Sequence, residues 1–258
     1  MPTSESQAAH YDSILDDYER HYFDAESTAY REEFIYAPLF DGLNLGGKRV
    51  ADLASGSGFA SLALLERFPD AQVVGFDISE RACRRYQDVV GRPARRLDLT
   101  QGRPAEGGFD AAMIFGGLHH CASGLAGALA CIAAMVVPGG RLLMFEPNRR
   151  YFLEPVRRLW YRWDRLFEPG TEAALDHDAL LVQAGPAFVG ETVRYFGGPA
   201  FFLIYNSMIF RLPKALKRTL FAPLMAAERT FNRLPGRYPH SSFVARWRRT
   251  DASAGTSP

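Results

Sequence analysis

The 258-residue chain predicts an α/β fold: a doubly wound, mostly parallel seven-stranded sheet, with a helical N-terminal cap and a helical insertion before the last strand. Three observations lead there. Strand and helix signals alternate from residue 48 to residue 146, which calls for crossover connections and a parallel sheet. Val50-Ala51-Asp52-Leu53-Ala54-Ser55-Gly56-Ser57-Gly58 runs from an apolar strand into an acid and then a turn of small residues. Val73-Val74-Gly75-Phe76-Asp77 is a second strand that ends on a carboxylate. Small residues let a backbone approach a ligand closely, and a carboxylate on the neighbouring strand tip can accept hydrogen bonds from ribose hydroxyls. The pair describes a nucleotide-type site at the carboxyl edge of the sheet.

Residues 8–41 interleave Tyr, Asp and Glu with apolar positions and predict two helices. Asp41-Gly42 and Gly46-Gly47 close them, so residues 1–45 form the cap. The core, 46–196 with 241–250, then alternates: strands over 48–53, 72–76, 94–97, 110–115 and 141–146, helices over 60–67, 81–90 and 125–136. Ser79 is placed to cap the second of these helices, with Glu80 in its first turn. Pro138-Gly139-Gly140 ends the third. Beyond Pro147 the pattern changes. Residues 151–168 form an aromatic, arginine-rich helix, 176–184 another helix capped by Asp176 or Asp178, and 188–196 and 241–248 the last strands. Residues 197–240, aromatic first and basic later, are the insertion.

The net charge of +1 argues against a wholesale nucleic-acid coat, but the charge is unevenly placed. Residues 1–148 carry 13 Lys/Arg against 20 Asp/Glu, net −7, and residues 149–258 carry 17 against 9, net +8. A cationic C-terminal region suits an anionic substrate, a membrane surface or plain solvation. Cys83, Cys121 and Cys131 show no metal spacing and cannot all pair, so a reduced, cytoplasmic protein is expected. The first ten residues lack a signal-peptide layout. No run reaches the roughly 18 uninterrupted apolar residues of a spanning helix.

Five segments, in order, resemble the class I S-adenosylmethionine-dependent methyltransferases of the small-molecule branch, whose fold is Rossmann-like. They are the turn 52–58, Asp77, Asp98-Leu99, the run from Phe109-Asp110 to His119-His120, and Pro138-Gly139-Gly140-Arg141-Leu142. The family's first glycine is replaced by Ala54. The resemblance implies S-adenosylmethionine as cofactor, with contacts from Tyr11, Asp52, Ala54, Ser55, Gly56, Gly58, Asp77, Ile78, Asp98, Leu99 and Phe115. A dinucleotide dehydrogenase is disfavoured, because Phe59-Ala60-Ser61 follows Gly58 where a third glycine would be needed. The fourth-strand loop Gly116-Gly117-Leu118-His119-His120-Cys121 lacks the Asn/Asp-Pro-Pro-aromatic motif of nucleic-acid methyltransferases.

His119 and His120 are candidate bases, since imidazole titrates near neutrality; the alternative is a cofactor-lining or structural role. Glu146 is a candidate substrate-orienting carboxylate, and no metal site is expected. Phe201, Phe202 and Tyr205 in the insertion are expected to line the acceptor side of the pocket as a lid. The remaining readings of this segment are peripheral contact with a membrane and simple packing. The expected function is methyl transfer to a small-molecule or lipid-like acceptor, with no nucleic acid as partner. A cofactor-binding accessory protein without catalysis is the rival, and a nucleic-acid methyltransferase a weaker one.

Overall fold

The computed structural model describes residues 24–101, 104, 106–161, 173–207, 210 and 212–251. Tyr11 lies outside them. The chain enters through α1 (Ala25–Arg31), a π turn (Glu32–Tyr36) and α2 (Ala37–Phe40). There follow β1 (Arg49–Leu53), α3 (Phe59–Arg67), β2 (Gln72–Asp77), α4 (Glu80–Val90), β3 (Ala94–Arg96) and β4 (Phe109–Phe115). A 3-10 segment (Leu118–Gly124) leads into α5 (Leu125–Met135) and β5 (Val136–Pro147). The chain continues through α6 (Glu154–Tyr161), α7 (His177–Ala184), β6 (Phe188–Phe196), a second π turn (Phe201–Tyr205), α8 (Lys214–Phe231) and β7 (Ser242–Arg249).

The seven strands form one sheet in the order β3-β2-β1-β4-β5-β7-β6. Only β7 runs against its neighbours. The strand order reverses between β1 and β4, and in open α/β sheets ligands bind in the crevice outside such a switch point. Central strands here are apolar on both faces, as a doubly covered sheet requires: Val50, Ala111, Met113, Leu143 and Phe145 face one layer, Ala51, Leu53, Ala112, Leu142 and Met144 the other. The expected strands and the helices expected over 60–67, 81–90, 125–136 and 176–184 appear within a few residues of their expected ends. The part of the cap before residue 24, and the continuation beyond residue 161 of the helix expected over 151–168, lie outside the described residues. One difference has a local cause: Pro138-Gly139-Gly140 does not precede β5 but lies inside it, where the register jumps from Phe109↔Val136 to Ala111↔Arg141. Leu118–Met135 has the length and apolarity of a membrane span. Its Leu118, Leu129, Cys131, Ile132 and Met135 are buried in the second layer, which makes it a core segment.

The insertion does not stand off from the body as a separate unit. Its π turn and α8 pack with α1 and the first π turn in one apolar layer. Two buried polar ties cross it. Lys217 Nζ donates to both Asp24 oxygens (2.8 and 2.6 Å) and to Ser27 Oγ (2.6 Å). Glu228, fully buried, accepts from Tyr30 Oη (2.7 Å) and from the amides of Gly198, Ala200 and Phe201 (2.9, 2.9 and 3.4 Å). A buried polar or charged group is costly unless it is paired or hydrogen-bonded: Lys217 is ion-paired with Asp24, and Glu228 is satisfied by hydrogen bonds alone.

Candidate active site

The turn after β1 is shaped by its backbone. Ala54 adopts a left-handed φ of 50°, a conformation that costs a non-glycine residue about 1–3 kcal/mol and is held only where its surroundings enforce it. A Cβ on Gly117, in the loop after β4, would lie 2.5 Å from the Ala54 methyl. The methyl at 54 therefore demands a glycine at 117, and the two loops meet at the switch point.

Asp77, at the tip of β2, fixes both flanking loops. Its Oδ2 accepts from the Gly56 amide and its Oδ1 from the Ser79 amide, each at 2.9 Å. A Cβ on Gly56 (φ 51°) would meet nothing within 4 Å, so the turn opens onto space beside a fixed carboxylate. Ser55 Oγ is buried with no hydrogen-bond partner. An open turn, a half-buried carboxylate and an orphaned hydroxyl suit a ligand that brings hydroxyls and an amino-acid end.

Four of the expected contacts, Asp52, Gly58, Asp98 and Leu99, are engaged elsewhere. Asp52 is buried, and its Oδ2 accepts from Ser61 Oγ (2.7 Å), which is 2.7 Å from Tyr86 Oη. It anchors α3 beneath the turn and does not line it. Burial pushes its carboxyl up to about 8, against the Ser61 hydrogen bond and helped by the charge of Asp77. At Gly58 a Cβ would sit 2.3 Å from Val90 and 2.6 Å from the Tyr86 ring, so packing of α4 explains this glycine. Asp98 caps its own 3-10 turn: Oδ1 accepts from the Thr100 amide (2.9 Å) and hydroxyl (2.6 Å), Oδ2 from Gln101 Nε2 (3.2 Å). Leu99 is a core residue. Ile78 is half-buried, and its carbonyl accepts from Arg96 Nε. Phe115 is half-buried at the end of β4, its ring 5.8 Å from that of Tyr36 and 6.4 Å from that of Phe40.

Glu146 differs most from expectation. It is fully buried and faces the fourth-strand loop. Oε1 accepts from the amides of Gly117 (3.2 Å) and Leu118 (2.8 Å), Oε2 from the amide of His119 (3.3 Å), and His119 Nδ1 lies 2.8 Å from Oε2. A side chain so engaged is a positioning residue, and the substrate-orienting role is withdrawn. Burial pushes its carboxyl up to about 8 although the three amides pull the other way. Burial, with Arg157 nearby, pushes the His119 imidazole down to about 3. The His120 ring lies 3.9 Å from that of His119, centre to centre.

The lid assignment also needs correction. Phe201 and Tyr205 are buried in the first apolar layer, where Tyr205 stacks on Tyr30 (5.6 Å) and meets Phe145 edge-on (5.9 Å). They share a face, as four-residue spacing requires, but it is the core face. Phe202 alone remains half-buried, stacked on Tyr151 at 6.1 Å. The described residues hold no group of three or more His, Cys, Asp and Glu able to bind a metal.

A family profile described as a methyltransferase domain matches residues 51–142, the segment that contains the turn, Asp77 and the β4 loop. The chain carries a class I methyltransferase domain. A curated relative, the demethylmenaquinone methyltransferase of Thermus thermophilus, is 37% identical over 105 residues, 38% of this chain and 47% of the relative. The match thus spans about half the length of that relative. Among solved structures, the domain resembles the N-methyltransferase NodS from Bradyrhizobium japonicum in complex with S-adenosylhomocysteine (TM-score 0.57, 12% identity, 93% of this chain and 98% of the other). It also resembles the [4+2]-cyclase SpnF (TM-score 0.62, 14% identity, 97% and 98%). These two likenesses speak for the fold alone. The cofactor of the methyltransferase family is S-adenosylmethionine, and Asp77, Gly56 and Ser55 are the residues of this domain that fit it.

Sequence reasoning missed the residues that hold the site rather than line it: Ser61 and Tyr86 under Asp52, Gly117 against Ala54, and Arg157 beside His119. A signal existed for Gly117, since two successive glycines end β4.

Proposed function

We propose that the chain transfers a methyl group from S-adenosylmethionine to a small, lipid-like acceptor. The observation that carries the first half is the open turn at Gly56 beside the fixed Asp77 carboxylate. The curated relative is named for demethylmenaquinone, an apolar acceptor, and the half-buried Phe115 and Phe202, with the buried Tyr151 behind Phe202, supply apolar wall. When bound, the cofactor brings an already activated methyl group on a sulfonium. The chain's task is then to position the nucleophile, exclude water and accept a proton.

His119 and Glu146 fit that last task as a coupled pair. While Glu146 is protonated, its hydroxyl donates to Nδ1, and Nε2 of the neutral imidazole carries the hydrogen. Once Glu146 ionises, near pH 8, it draws the hydrogen to Nδ1 and leaves Nε2 bare. The new carboxylate at 2.8 Å also raises the basicity of the ring. Nε2 becomes the proton acceptor.

The low basicity of His119, whose imidazole burial pushes down to about 3, favours a second reading, cofactor binding without methyl transfer, because fold and chemistry are separable. Labelled-methyl transfer to a cell extract, with cofactor affinity measured in parallel, separates the two. Label in an organic-soluble product is expected. Binding with no labelled product would favour the second reading, and no binding would refute both.

A further inference from the structure

Helix α6 is built inside out. Two of its charged side chains face inward: Glu154 is buried and ion-paired with Arg157, and Arg157 reaches back toward the carbonyl oxygens of Ser241 (3.4 Å) and Asn148 (3.5 Å). The described apolar side chains Val156 (57% exposed) and Leu159 (54%) face out. At 100° per residue Val156 and Leu159 lie about 60° apart on one stripe, and Phe152 (51%) is exposed in the turn just before the helix. Leu153 and Tyr238 extend it, since the Phe152 amide donates to the Tyr238 carbonyl (3.0 Å) and both side chains are exposed. A soluble helix orders its faces the other way, so a contiguous outward stripe marks a contact surface.

Charge indicates what covers it. Residues 149–161 and 233–240 contain six arginines and a single acid, Glu154, which is turned inward. Arg150 and Arg237 are paired with Asp176 and Asp178, whereas Arg149 and Arg233 are exposed and form no ion pair with another described residue. The whole stretch 149–258 carries +8. Apolar and aromatic side chains bordered by arginines are the composition of a surface that lies in a bilayer interface. We propose that this face docks the protein on an anionic lipid surface, with Phe152, Val156 and Leu159 entering the acyl boundary and Arg149 and Arg233 meeting headgroups. The proposal stands independently of the acceptor's identity.

Full-length protein, sedimented with vesicles of phosphatidylcholine with or without phosphatidylglycerol, tests it. Binding is expected on the anionic vesicles and weakens with salt. Val156→Asp/Leu159→Asp should lower the partition coefficient about 100-fold, roughly tenfold for each half-exposed aliphatic side chain that no longer enters lipid. Arg149→Glu/Arg233→Glu should lower it about tenfold on anionic vesicles. S-adenosylhomocysteine affinity should stay within about twofold in both variants, since neither touches the turn. If the helix variant fails to fold, Phe152→Asp, just outside α6, replaces it. Wild-type protein left in the supernatant with both vesicle types would overturn the proposal, as would apolar-to-Asp variants that bind like wild type. A wild-type dimer that these substitutions dissociate, with no vesicle binding, would assign the face to a second copy instead.

Discussion

Glu146→Gln is the sharpest perturbation of the site, because it keeps shape and removes the ability to ionise. At neutral pH the protonated acid and the amide are alike on one side: each accepts from Gly117 and Leu118 on one oxygen and donates toward His119 Nδ1. They differ at the His119 amide, which has an oxygen 3.3 Å away in the native chain and would meet an NH2 group in the variant. One buried N–H then loses its acceptor, at about 1–3 kcal/mol. For a chain of this size that lowers Tm by about 2–10 °C. The larger effect is on chemistry. Glutamine donates to Nδ1 at every pH, so Nε2 keeps its hydrogen and cannot accept a proton. Native turnover should therefore rise as pH passes through about 8, while the variant stays flat and about 10²–10⁴-fold lower above that pH. The assay is a pH–rate profile of product formation, with cofactor affinity as control. A variant that retains the native rise would show that Glu146 does not govern the base. A variant with unchanged Tm would show that the His119 amide is not held by this carboxyl group.

Asp77→Ala should weaken S-adenosylhomocysteine binding by at least tenfold, since hydrogen bonds to a charged group are worth about 1.5–3 kcal/mol each; calorimetry giving native affinity would remove the proposed cofactor site. The raised pKa of Asp52, about 8 against an ordinary 3.8, favours the folded state below pH 3.8. That contribution is lost as pH climbs to 8, at up to about 1.4 kcal/mol per unit. Urea midpoints at pH 5, 7 and 9 should show this decline less steeply in Asp52→Asn, and identical profiles would contradict it. Tyr205→Ala should cost about 3–5 kcal/mol of stability as a buried aromatic. Phe202→Ala, half-buried, should cost less and should raise the acceptor KM; the reverse ranking in denaturation would restore Tyr205 to the pocket.

The sheet was legible because its evidence is local. Apolar runs at 50–53 and 110–115, the small-residue turns and the terminal acids each declare a strand end, and the switch point follows from alternation alone. The direction of individual side chains was not legible. Asp52, Gly58 and Glu146 stand in the right motifs, yet motif spacing cannot distinguish a carboxylate that faces a ligand from one that secures the loop facing it. Glu146 illustrates the physical reason: three backbone N–H groups from 117–119 need an acceptor behind the loop, and the end of β5 is where one can stand.

Union of cap and insertion was hidden for a different reason. Tyr30 and Glu228 are 198 residues apart, and Lys217 and Asp24 are 193 apart, so no local pattern joins them. One sign was nevertheless present. Lys217 and Glu228 are eleven residues apart on α8, three turns, and so share a face with Met225. A lone cation and a lone anion on an apolar stripe have to find partners, because each would otherwise destabilise the fold by several kcal/mol. Aromatic stacking of Tyr205 on Tyr30 would tolerate several packings of α8 against α1. The Lys217–Asp24 and Glu228–Tyr30 contacts are directional at both ends of the stripe and leave α8 one register. That register sets the π turn through the Gly198, Ala200 and Phe201 amides, and with it the position of Phe202 beside Tyr151.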